Sequence, residues 1–275
     1  GYPNGYLYMG STLGITAGLK YGADDELDFT AVARLVYQTF DVELLMASGV
    51  KEDVTYTKVK DRTVLSEYLD IYKTKGIVTD NGTTTLTSAS SIGLDQIKIG
   101  DMVFTAGDTN AQDFIGYQVQ CYYKENNDNN QMIYIAPYKT QTLTIHSDSL
   151  MTGSPRFTKT SIVYEKDDGD KEVKISPFAD MIYNGAAYPV FDADTMKITS
   201  GTITLVDNNS DDIYEVILAE EFENCYVSAV DIDTERIYDK YGGLTDLESF
   251  ETVKIYNNKN QPIGITAIKE NTVLS

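Results

Sequence analysis

Apolar side chains shift from a helical spacing to a strand spacing along this chain. Phe29, Val32, Ala33, Val36 and Phe40 recur at i, i+3, i+4, i+7 and i+11, which places them on one face of a helix. Asp28 stands just ahead of that run, where its carboxylate can accept a free helix N–H. A shorter helix is expected before it, capped by Ser11 or Thr12, carrying Leu13, Ile15 and Leu19, and ended by Gly18 or Gly22. A third helix is expected over about 62–73, with Val64, Leu65, Tyr68 and Tyr72 on one face, Asp61 as cap and Gly76 as stop.

From Gly76 onward the period is two. Strands over 76–79 and 83–87 flank the turn Asp80-Asn81-Gly82, and 97–104 reads as strand and turn. The strongest hairpin joins 115–124 to 131–137 across a polar loop, and a strand over 142–146 follows. Further strands are expected at 161–165, 172–175, 201–206, 214–219, 224–231, 236–238, 252–256 and 263–268. The pattern predicts a mainly β fold with a small N-terminal helical segment (α+β), built of small β-barrel or sandwich-like modules. A length of 275 residues leaves room for two or three domains. The expected division is a helical segment over 1–50, a β-rich module with one helix over 51–150, and a second β-rich module over 151–275. Residues 151–155 (Met-Thr-Gly-Ser-Pro) are the expected boundary.

Three short stretches carry a family resemblance. Residues 1–5 read GYPNG, Leu13-Gly14-Ile15 is followed by Gly18-Leu19, and 27–35 runs LDFTAVARL. Together they resemble the S-layer homology (SLH) module of Gram-positive surface proteins, with its GYPDG loop, LGI..GL helix end and LTRxExARL helix start. The resemblance covers about one module, whereas that family usually carries three in tandem. It implies an extracellular place on the cell surface or cell wall, and a cell-wall polysaccharide as partner, held largely through the family's Thr-Arg-Ala-Glu region. Here Asp28-Phe29-Thr30-Ala31 stands at that region without the motif's arginine and glutamate.

Charge narrows the partners further. The chain has 42 acidic and 22 basic residues, a formal net charge of -20. Phosphate backbones and anionic membrane surfaces both need lysine and arginine, so neither nucleic acid nor a membrane surface is expected as partner. No apolar run approaches the length of a membrane span, so no insertion is expected. An acidic surface does suit the collection of divalent cations. Tyrosine is abundant at 21 and tryptophan absent; tyrosine with Val, Ile and Thr favours strands, and exposed rings can stack on sugars. Cys121 and Cys225 lie in strand-like runs of different expected modules, and both are expected to be free thiols. No signal-peptide pattern is present, and both ends read as cuts within a longer protein.

The sharpest local pattern is Asp207-Asn208-Asn209-Ser210-Asp211-Asp212-Ile213-Tyr214-Glu215. Asp207, Asn209, Asp211 and Glu215 place oxygens at positions 1, 3, 5 and 9, and alternate residues of a tight loop can turn several inward toward Ca²⁺. The loop departs from the EF-hand, with Asp212 at the glycine position and no glutamate at position 12. The same residues are also good hairpin-turn formers. Asp167, Asp168 and Asp170 form a second acidic turn. His146 is the single histidine, at a strand end, with no G-x-S-x-G nucleophile motif anywhere. One histidine and two distant cysteines do not make a conventional zinc site, and neither G-x-G-x-x-G nor a P-loop is present. No catalytic residue is singled out. The expected function is therefore a non-enzymatic structural protein of the bacterial envelope: a surface layer, filament or adhesive display that self-associates through its β modules. Calcium is its one candidate cofactor. The alternative is a carbohydrate-binding or ancillary module of a secreted enzyme.

Overall fold

A computed structural model describes residues 1–48, 55–86, 90–126, 129–150, 158–188, 198–250, 253–259 and 261–275. The chain forms two compact units: 1–141 with 206–212, and 142–205 with 213–275. The fold is mainly β with a small helical segment in front, as the period predicts. The boundary expected at 151–155 lies outside the described residues.

The first unit opens with helices α1 (Asn4–Thr12) and α2 (Phe29–Phe40). α2 is the expected helix, and the Asp28 carboxylate accepts the Ala31 N–H at 2.7 Å. α1 lies earlier than the pattern suggests. Gly14 and Gly18 sit at φ +80° and +71°, left-handed values that break a helix over 13–19. Strands β1 (Glu43–Ser48) and β2 (Thr55–Thr63) pair antiparallel. Helix α3 is shorter than expected, spanning Val64–Leu69. Thr63, not Asp61, caps it, in a reciprocal box with Ser66. Asp70, left-handed at φ +54°, stops it before the expected last turn.

A closed five-stranded barrel follows. It consists of β3 (Ile71–Asp80), β4 (Gln96–Ile99), β5 (Met102–Thr105), β6 (Gln118–Lys124) and β7 (Asn130–Pro137), in the order β3-β4-β5-β7-β6. The β6–β7 hairpin is the one the alternation predicts. Closure comes from two pairings that alternation does not announce: β3 with β6, antiparallel, and β5 with β7, parallel. Val78, Ile97, Phe104, Val119 and Cys121 fill the interior and are 0 % exposed. The Phe104 and Tyr123 rings meet edge to face at 5.1 Å. Burying a side chain such as Phe104 stabilises by about 2–3 kcal/mol.

The second unit holds β8 (Gln141–His146), α4 (Ser147–Leu150), β9 (Ser161–Lys166), β10 (Gly169–Tyr183), β11 (Ala186–Tyr188), β12 (Gly201–Asp207) and β13 (Ile213–Glu221). The sheet runs β11-β10-β13-β12-β8, with β9 on β10. β10 extends well past the expected 172–175. Pro177 falls inside its register shift between Ile175 and Asp180, where no ladder N–H is required. Ile145, Ile162, Met181, Ile203, Leu205 and Ile217 form the core. A smaller sheet joins β16 (Leu244–Asp246), β15 (Arg236–Asp239), β14 (Cys225–Asp231) and β19 (Val273–Leu274) around Val227, Ile237 and Ile268. β17 (Ile255–Tyr256) pairs with β18 (Pro262–Ile263). The strand expected over 263–268 ends at Ile263, because Ile265–Ala267 turn into a 3₁₀ helix.

Candidate functional site

The loop after β12 brings three of the four expected metal ligands together. One carboxylate oxygen from each of Asp207, Asp211 and Glu215 lies within 4.8 Å of the others. Asn209 is exposed, and its backbone N–H is turned toward Asp207. Asp207 is 1 % exposed, so its charge needs compensation. Oδ1 accepts the N–H groups of Asn209 (3.1 Å), Ser210 (2.7 Å) and Asp211 (3.4 Å), while Oδ2 accepts that of Asp212 (2.9 Å). Ser210 and Asp212 sit at φ +65° and +63°, the curl that turns successive N–H groups onto one anion. Loop contacts within the first unit fix it further: Asn208 Nδ2 donates to the Gly116 carbonyl (3.4 Å) and Ser210 Oγ to that of Lys139 (2.7 Å). Asp207 thus organises its own loop, and Asp211 and Glu215 stand beside it. Three carboxylates offer hard oxygen ligands suited to Ca²⁺, which takes six to eight. The organising role of Asp207 was hidden in the sequence, since turn and metal readings draw on the same residue types.

The second acidic turn is arranged differently. Lys171 Nζ donates to Asp168 Oδ2 at 2.7 Å and holds that carboxyl below its usual range. Asp167 lines an open cleft of about 420 Å³ with Asp148, Ser149, Glu165 and Lys166.

The single histidine and the two cysteines fall on three different strands, β8, β6 and β14. His146 is exposed at the end of β8. Cys121 and Cys225 are free thiols. Burial in the barrel pushes the Cys121 thiol up to about 12, and burial with the neighbouring Asp239 carboxylate raises that of Cys225. Both stay protonated at neutral pH.

The helical segment has its own cleft of about 370 Å³, lined by Tyr2, Tyr6, Tyr21, Asp25, Leu27 and Leu35 among others. Tyr21 Oη donates to Asp28 Oδ2 at 3.1 Å, and that hydrogen bond raises the phenol's pKa. On α2 only Ala31 is buried; Phe29 is 88 %, Val32 44 % and Val36 49 % exposed. The apolar stripe that predicts the helix is left largely uncovered.

Among the described residues no helix is long and apolar enough to cross a membrane. Comparison with protein-family models, with curated proteins and with solved structures finds no match to this chain.

Proposed function

We propose that this chain is a non-enzymatic structural protein of a bacterial envelope, with residues 1–46 as an SLH-like module and the β units as the displayed, self-associating part. The observation that carries the reading is the uncovered face of α2. Phe29, Val32 and Val36 form an apolar stripe that its own unit does not bury, and such a stripe marks a contact surface. A module that normally stacks on tandem neighbours would carry its apolar side chains there. Calcium held by Asp207, Asp211 and Glu215 belongs to the same proposal, as a clamp on the β12–β13 loop.

Light scattering on the concentrated chain, with and without Ca²⁺, tests it. Assembly of the wild type is expected, together with its loss in a Phe29→Asp, Val36→Asp variant of unchanged melting temperature. A monodisperse monomer under every condition sinks the reading. For calcium, calorimetric titration of the wild type and of an Asp211→Ala variant decides: identical traces remove the metal.

A second reading, a carbohydrate-binding module, is favoured by the tyrosine-lined cleft. Tyr2, Tyr6 and Tyr21 are solvent-facing with the Asp25 carboxylate among them, a set suited to stacking on a sugar and bonding its hydroxyls. Loss of glycan binding in Tyr6→Ala with assembly intact would favour it over the first.

A further inference from the structure

The outer wall of the barrel carries a second row of tyrosines, and here their neighbours are cations. Register sets Lys73, Tyr122 and Tyr134 side by side across β3, β6 and β7, with Lys75, Gln120 and Ala136 as the next row on that face. Residues two apart on a strand are about 7 Å apart, so the two lysines stand one row from each other. Tyr122 and Tyr134 have ring centroids 6.2 Å apart. Lys73 Nζ lies 5.4 Å from the Tyr122 ring and also pairs with Asp41 at 2.5 Å, which neutralises it. Lys75 Nζ lies 3.8 Å from the centre of the Tyr138 ring, and Lys139 Nζ approaches the same ring at 5.7 Å. Neither Lys75 nor Lys139 forms an ion pair with a described carboxylate. Both are exposed. In a chain of net charge -20, two lysines without an ion pair to a described carboxylate meet on one tyrosine ring here. The two ammonium groups also hold the Tyr138 phenol below its usual pKa.

We propose that this face, centred on Lys75, Tyr138 and Lys139 and extended by Tyr122 and Tyr134, binds an acidic polysaccharide. The Tyr134 ring, 55 % exposed, offers a flat apolar surface to a sugar ring, and the ammonium groups of Lys75 and Lys139, held against the Tyr138 ring, meet spaced carboxylates along the polymer. A nucleic-acid strand carries a charge on every nucleotide, so the surrounding acidic surface opposes it more strongly than a sparsely charged glycan. The assignment uses none of the α2 stripe residues Phe29, Val32 and Val36.

The test uses the whole chain and hyaluronate, a polyuronate with one carboxylate on every second sugar, as the immobilised probe, with neutral dextran and a thymidylate oligonucleotide alongside. The wild type is expected to bind the polyuronate, to ignore dextran, and to weaken as salt rises from about 0.05 to about 0.2 M. Lys75→Glu with Lys139→Glu should lose at least about tenfold, since each substitution puts like charges together. Tyr138→Ala should lose several-fold and Tyr138→Phe should keep its binding. If the double variant melts early, the single changes Lys75→Gln and Lys139→Gln read the same loss at exposed positions. Absence of wild-type binding overturns the proposal, as does unchanged binding in the lysine variants. An oligonucleotide bound as tightly as the polyuronate reassigns the face to polyphosphate and overturns it too.

Discussion

The carboxylate of Glu221 binds Thr199 twice, accepting its backbone N–H at 2.8 Å and its hydroxyl at 3.0 Å. The Tyr183 hydroxyl donates to the same carboxylate, and Asn184 Oδ1 accepts the Glu221 N–H at 2.8 Å. These donors, the Thr199 N–H foremost, depress the Glu221 pKa below its ordinary 4.5. A depressed carboxyl stabilises the fold above its unfolded pKa, and the contribution is lost as pH falls through the folded value. Glu221→Gln should therefore lower the urea midpoint near pH 7 and leave it almost unchanged near pH 3. The group lies near solvent, so the neutral-pH cost is about 1 kcal/mol or less. Equal losses at both pH values would mean that geometry, not charge, accounts for the bond.

Asp207 should matter to folding apart from any metal. Removing its carboxylate in Asp207→Ala leaves four loop N–H groups without their acceptor, at about 2–3 kcal/mol in a chelator-containing buffer. Asp207→Asn keeps one acceptor but can turn its NH₂ toward the Asp212 N–H, and should fall between. Asp211→Ala, at an exposed position, should cost less than about 1 kcal/mol. Urea denaturation of the three variants checks the order.

Thiol reactivity reports barrel integrity. With Cys121 pushed up to about 12 and Cys225 also raised, both native thiols should react slowly with a disulfide reagent at mildly alkaline pH. Cys225, the less buried, should react first. Unfolding should release both. Rapid labelling of Cys121 in the native chain would contradict the closed interior.

Gly201 is fixed by backbone alone. Its φ is +143°, and a Cβ there would come within 1.9 Å of the Glu220 carbonyl oxygen. Gly201→Ala should cost more than about 2 kcal/mol, read from thermal melting. Gly169→Ala is the control. It shares a positive φ of +110° but has open space around it, so it carries backbone strain without the clash.

Local signals were readable where one residue class had one use. Asp28 before an apolar helical stripe gave α2 and its cap, and the strand-like run over 115–124 gave β6. The signals failed where two uses competed. Leu13, Ile15 and Leu19 resemble a helical face, yet left-handed glycines among them make turns. β2 has no periodicity to find, because nearly all of it is exposed. Barrel closure through β5 and β7, and the parallel pairing of β10 with β13, join segments far apart in sequence, which no local period encodes. In the 207–215 loop, composition located the acidic cluster but could not single out Asp207 as the carboxylate that builds the turn. The basic row on the barrel was missed because its lysines and tyrosines become neighbours only across strands.

The first compact unit is not a continuous length of chain. Its last piece, 206–212, is made 64 residues after the rest of it ends at Gln141. During synthesis the barrel strands are all available by Pro137, but Gly116 and Lys139 wait for Asn208 and Ser210 to arrive. A nascent chain halted before residue 206 would hold a barrel with one rim still open to water, and the finished rim would date from the arrival of the late loop. Pulse proteolysis of stalled chains of increasing length would time that event.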